Sequence, residues 1–176
     1  MKPTYAGIDP GLSGAVGFVH EDGTFAHVFD MPTLPTSTGR RAIDAAALAE
    51  LLRQNAPAFC VVERVGARPG EGATGAFSFG HSFGSVLGVL AALRVPHAIV
   101  QPQVWKRAAG IPAGADKRVS IATAKQRLPD AAHHLTRVKD DGRAEALLLA
   151  WYGVPVRFPP HEGQRLEKQV VSASQT

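Results

Sequence analysis

The sequence predicts an α/β domain built on a mixed five-stranded sheet flanked by helices. Three observations predict it. Three strand-like segments follow one another across tight turns at the start of the chain; a helical repeat then leads into the continuous apolar run AFCVVE; and further helical segments alternate with one more short strand, HAIV.

The first segment, TYAGID (4–9), is a short strand that ends at the turn PGLSG, and GAVGFVH (14–20) returns as a second. After the turn HEDG, TFAHVFDM makes a third, so the opening is an antiparallel meander. PTLPTSTGRR reads as loop. IDAAALAELLRQN (43–55) places apolar residues at helical spacing and stops near Pro57. AFCVVE (58–63) is apolar without alternation, as expected of a central parallel strand covered on both faces.

The stretch from Arg64 to Gly80 is rich in glycine and predicts a long loop, of a length that is usually functional or disordered. HSFGSVLGVLAALRV predicts an apolar helix in which Gly84 and Gly88 permit a close contact. HAIV (97–100) is the fifth strand, PQVWKRAAG a short helix, DKRVSIATAKQRL (116–128) an amphipathic helix, and Ala144 to Trp151 the apolar body of a final helix. Residues 1–156 are expected to form one domain and 157–176 a flexible tail.

Composition narrows the function classes. A chain of 176 residues with 45% hydrophobic content suffices for one well-packed core and is short for two. No run of eighteen apolar residues and no leader pattern is visible, so a cytoplasmic protein with no membrane segment is expected. The single cysteine, Cys60, cannot form an intrachain disulfide and reads as a small buried thiol. The net charge is +4, but between Gln101 and Lys139 eight basic residues stand against two acidic ones, a distribution that suits either a polyanion-binding face or a solvated helical surface.

The acids carry the chemistry. Asp140, Asp141 and Glu145 stand at the entrance of the last helix, and Asp141 and Glu145, four apart, share one face where like charges repel. Taken alone they are ordinary first-turn acids, with Asp140 or Asp141 as N-cap. Asp9 and Glu63, however, each end a strand. If those strands are adjacent and parallel, both carboxylates emerge at one sheet edge, and the last helix adds its own acids to them. Such a cluster of hard oxygens selects Mg2+ or Mn2+, and two such ions stabilise the attacking and leaving oxygens of phosphodiester hydrolysis.

The strand order, GIDPGLSGA at the first strand, VVERV at the fourth and DDGRAEALLLA at the last helix together resemble the RuvC-type Holliday-junction resolvases, in particular short phage and prophage members of the RNase H-like (retroviral-integrase-like) superfamily, over roughly Tyr5 to Val154. The resemblance implies an RNase H-like fold and a homodimeric endonuclease, dependent on Mg2+ or Mn2+ with two ions per site, that nicks opposed strands of four-way DNA junctions. It implies Asp9, Glu63, Asp141 and Glu145 as catalytic metal ligands, with Asp140 the alternative to Asp141. This chain departs from the pattern in one respect. The family's last two acids are usually three positions apart, and here Asp141 and Glu145 are four apart.

The resemblance also places Lys106 and Lys117 near the scissile phosphate as catalytic lysines. It puts Phe77 and Phe79 near the junction centre, where exposed rings stack on unpaired bases. Arg118 joins them as a DNA contact, whereas Trp105 and Phe83 are expected in the core. A dimer interface is expected at SFGSVLGVLAAL. Three alternatives remain: a broader branched-DNA nuclease, a silent junction-binding protein, and a fragment of an actin-like ATPase, whose first phosphate loop GIDPGLSGAVG also resembles.

Overall fold

Register in the central sheet brings two acids to one edge. In the computed structural model, which describes residues 2–154 except 38, 67–69 and 71, strand β1 (Thr4–Asp9) pairs antiparallel with β2 (Ala15–His20), and β2 pairs antiparallel with β3 (Phe25–Asp30). Strand β4 (Thr33–Pro35) and β5 (Arg41–Ile43) form a separate two-stranded hairpin within the segment expected to be loop. Helix α1 (Ala45–Asn55) follows, capped by Asp44, whose Oδ1 accepts from the Ala47 N–H at 2.9 Å.

Strand β6 (Phe59–Glu63) then lies parallel to β1, and after helix α2 (Ala73–Ala92), strand β7 (His97–Val100) lies parallel to β6. The sheet order is β3-β2-β1-β6-β7, a mixed five-stranded sheet. Helices α3 (Pro102–Ala109) and α4 (Lys117–Arg127), two 3-10 turns (Pro129–His134 and Val138–Asp140) and α5 (Asp141–Tyr152) complete the described chain. The expected tail, 157–176, lies outside the described residues.

Strand periodicity sorts side chains into two cores, one on each face of the sheet. Ala6, Ile8, Phe18, Cys60 and Val62 pack with Leu48 and Leu52 of α1 and Val86 and Leu90 of α2. Val19 and Val61 pack on the other face with Trp105, Ile121, Leu147, Leu148 and Leu149. Cys60 is fully buried, and burial pushes its thiol up to about 12, so it is inert apolar filling as expected.

Helix α5 sits closer to the sheet than side chains would allow. Gly7 and Gly17 face each other across β1 and β2, and a Cβ on Gly7 would fall 2.1 Å from the Ala146 carbonyl oxygen, one on Gly17 2.7 Å from the Leu147 nitrogen. The paired glycines form a trough for the helix backbone. Its N-terminus is moored as well: Arg143 Nε and Nη2 donate to the two carboxylate oxygens of Asp30 on β3, at 2.6 and 2.7 Å.

Two expectations are corrected. Helix α2 begins at Ala73 rather than near His81, so Phe77 and Phe79 stand on a helix and the connection from β6 ends before residue 73. Gly84 and Gly88 make no close contact: a Cβ on either would meet nothing within 4 Å, and the tight approaches occur at the strand glycines instead. Only Ser82, Val86, Val89 and Leu90 of α2 are buried, which leaves much of this apolar helix exposed.

Candidate active site

Asp9 ends β1 and Glu63 ends β6, and because those strands are parallel neighbours both carboxylates reach the same sheet edge. Asp141 and Glu145 arrive from the first turns of α5, Lys106 from α3 and Lys117 from the start of α4. All six line one cleft of about 970 Å³. The acids predicted from three separate segments therefore converge, and so do both predicted lysines.

Each carboxylate has a defined partner. The Gly11 N–H donates to Asp9 Oδ1 at 3.2 Å, a contact made possible by the turn after β1. Gly14 closes that turn, where a Cβ would lie 2.2 Å from the Asp9 carbonyl oxygen. The Trp105 indole Nε1–H donates to Glu63 Oε1 at 2.9 Å. Lys106 Nζ lies 2.8 Å from Glu145 Oε1, which also accepts from Ser120 Oγ at 3.1 Å. Lys117 Nζ lies 2.5 Å from Asp141 Oδ2.

Lys106 only partly offsets the burial of the other two acids. Burial pushes the Asp9 carboxyl up to about 6, with the Glu145 and Asp141 charges adding to it against the opposing Gly11 N–H. Burial also pushes Glu63 up to about 7, reinforced by Asp9 and Glu145 and opposed by the Trp105 donor. The Asp141 carboxylate in turn raises Lys117 above the ordinary lysine range.

Asp140 does not join the cluster, a correction to its place among the candidate ligands. It is 2% exposed, it does not line the cleft, and Arg137 covers it: Nη2 and Nε donate to its Oδ1 at 2.7 and 3.0 Å, and the Arg137 backbone N–H to its Oδ2 at 2.7 Å. The 3-10 turn before α5 folds the guanidinium over the carboxylate, which leaves Asp141 to face the cleft.

Phe79 lines the cleft and a smaller adjoining cavity of about 320 Å³ that shares Asp9 and Glu63. Phe77 is 77% exposed, its ring stacked on His81. Arg118 is exposed next to Lys117 but does not line the cleft. Trp105 is fully buried and Phe83 packs against the core, both as expected. What sequence reasoning missed is polar: the Trp105 N–H and the Ser120 hydroxyl. Ser120 stands three residues after Lys117, the spacing that shares a helix face, so its signal was present.

A mixed five-stranded sheet of this order, with helices on both faces, is an RNase H-like fold. Among solved structures, Thermus thermophilus RuvC in complex with a Holliday junction substrate superimposes with a TM-score of 0.65 at 21% identity, covering 91% of this chain and 96% of that one. A second T. thermophilus RuvC structure gives 0.54 at 20% identity, covering 89% and 96%. The chain thus has the RuvC fold. In sequence it is 30% identical over 142 residues to the chloroplastic Holliday junction resolvase MOC1 of Chlamydomonas reinhardtii, covering 78% of this chain. The match spans only 16% of that longer relative. No family model matches the chain.

Proposed function

We propose that the chain is a metal-dependent, structure-selective endonuclease that acts in the cytoplasm as a homodimer and resolves four-way DNA junctions by symmetric nicking. One observation carries the proposal: four carboxylates from three sequence-distant elements and two lysines line a single cleft on a RuvC fold. The sequence similarity to a Holliday junction resolvase supports the choice of substrate.

The donor set fits a hard divalent cation, since it offers carboxylate oxygens without thiolate or imidazole. Among the described residues, no group of three or more His, Cys, Asp or Glu side chains is arranged to hold an ion as it stands. Glu145 Oε1 and Asp141 Oδ2 face lysines, and the second oxygen of each carboxylate would be the one to meet an ion. When bound, a pair of Mg2+ or Mn2+ ions offsets the acids' charge, activates a water and stabilises the leaving oxygen.

In this reading Asp9, Glu63, Asp141 and Glu145 are the metal ligands. Lys106 and Lys117 hold oxygens of the scissile phosphate and stabilise developing charge. Phe77 stacks on an unpaired base beside the cleft, Phe79 forms the cleft wall near Asp9 and Glu63, and Arg118 holds a backbone phosphate. The test is cleavage of a static four-way junction with Mg2+ or Mn2+, beside linear duplex, fork and flap controls. Paired nicks at symmetric positions on opposed strands are expected. Failure to cut the junction with either metal would overturn the proposal, and equal cutting of forks and flaps would make it a broader branched-DNA nuclease.

The lysines have their own expected result. At saturating enzyme in single turnover, Lys106→Ala and Lys117→Ala should each slow cleavage on the order of 10²-fold, because affinity no longer enters the rate. Lys125→Ala should cut normally under the same conditions and show only weaker binding. Wild-type rates in both cleft variants would reduce those lysines to surface charge.

Two symmetric cuts call for two active sites on one substrate, and a closed two-fold pair supplies them. The SFGSVLGVLAAL part of α2 is the candidate interface: it carries no acidic or basic residue, and its exposed side includes Gly84 and Gly88. Sedimentation at micromolar concentration is expected to show a dimer. A monomer both with and without junction DNA would contradict it.

A further inference from the structure

We propose that Trp105 is a positioning residue that fixes the Glu63 carboxylate by its indole N–H, leaving Glu63 Oε2 free for a divalent cation. The proposal rests on the reading of the four acids as metal ligands. Trp105 is fully buried in the core beneath the cleft, and its one polar atom, Nε1, meets Glu63 Oε1 at 2.9 Å across 42 positions of sequence. The indole is a donor without acceptor capacity, so it favours the charged carboxylate and occupies one of its two oxygens.

This solves a geometric problem at Glu63. The residue is the last of β6, and its side chain has rotatable bonds to spare. A ligand that is free to rotate costs entropy to recruit. The Trp105 bond is the hydrogen bond that the described residues give this carboxylate, and its donor cannot move because the ring is locked in the core. The same ring also carries Lys106, whose Nζ lies 5.1 Å from the ring centroid, so one buried side chain orients both a candidate ligand and a candidate phosphate-holding lysine.

Such supporting bonds to metal ligands are worth 10- to 100-fold in affinity. The experiment is Mn2+ binding to the full chain without DNA, followed by electron paramagnetic resonance of the free ion, for the wild type and Trp105→Phe. Trp105→Phe keeps an aromatic ring in the core and removes the donor along with part of the ring's volume; it should bind Mn2+ about 10-fold more weakly. Equal affinities would overturn the positioning role. If the wild type itself binds no Mn2+, the metal-ligand reading fails and takes the positioning role with it, a result distinct from equal binding.

A second measurement stands even if Trp105→Phe does not fold. In 15N-labelled wild type, the Trp105 indole N–H resonance should move during a Mg2+ titration, and it should also differ in Glu63→Gln without metal. The Trp151 indole, on α5 and stacked against Arg127, is the internal reference. A Trp105 resonance unmoved by both Mg2+ and Glu63→Gln would show that no bond links indole and carboxylate, and would overturn the proposal.

Discussion

Asp9→Asn and Glu63→Gln are each expected to stop junction cleavage while making the metal-free protein harder to unfold at pH 8. On the proposed function, loss of cleavage, on the order of 10³-fold or more, follows from removing the charge of a metal ligand at the reacting centre. The gain in stability follows from burial. With the folded-state carboxyls at about 6 for Asp9 and about 7 for Glu63, both lie above their ordinary range, so between pH 4 and 7 the folded chain keeps protons that the unfolded chain has released. Stability therefore falls as pH rises through that window and stays lower above it.

Either amide removes the penalty at pH 8, by about 2 kcal/mol or roughly 4–8 °C in Tm, and has little effect below pH 4, where the carboxyls are protonated in both states. The amide oxygen that Glu63→Gln introduces still accepts from the Trp105 indole, so the comparison isolates the charge. Melting curves with chelator at pH 4 and pH 8, beside single-turnover cleavage, check both halves. A wild-type cutting rate would remove the residue from the site, and an unchanged Tm at pH 8 would show that the acids are not strained without metal.

Gly7→Ala is expected to be among the most damaging changes to the fold outside the acids. A methyl group there would meet the Ala146 carbonyl oxygen at 2.1 Å, the Ala150 nitrogen at 2.2 Å and the Leu149 Cβ at 2.7 Å. Two of these neighbours are backbone atoms and cannot rotate away, so α5 must lift from β1. Overpacking of this kind costs about 3 kcal/mol or more. Any molecules that still fold should also cut more slowly, because α5 carries Asp141 and Glu145. Urea unfolding would read the first effect and single-turnover cleavage of the folded fraction the second. Normal stability and normal cutting in Gly7→Ala would show that α5 does not depend on the trough.

Most of the sheet was legible because strands announce themselves by local pattern: TYAGID, GAVGFVH and AFCVVE each became a strand within a residue or two of expectation. Asp9 and Glu63 were legible for the same reason, since the end of a strand and its parallel neighbour fix where a side chain emerges. The start of α2 was hidden by Gly72, Gly75 and Gly80, residues whose low helix propensity masks a helix stabilised by packing through Val86, Val89 and Leu90.

The choice between Asp140 and Asp141 lay in a cation rather than in the acids: Arg137, three residues earlier, claims Asp140 for itself. Gly7 and Gly17 read as ordinary strand residues because nothing local indicates that a helix from the far end of the chain will lie on them. The indole of Trp105 pointed to the core by its apolar bulk, and the destination of its one N–H was set by a strand 42 positions away.

The seating of α5 also has a consequence in time. During synthesis Asp9 emerges first and Glu63 follows, but Asp141 and Glu145 arrive only with the helix that fills the glycine trough between β1 and β2. A nascent chain interrupted before that helix exposes the sheet face awaiting Leu147, Leu148 and Leu149, and it lacks half of the acids. On the proposed function, an unfinished copy cannot nick DNA and offers proteases an open core. On that reading, completion of α5 both covers this face of the sheet and supplies the remaining acids.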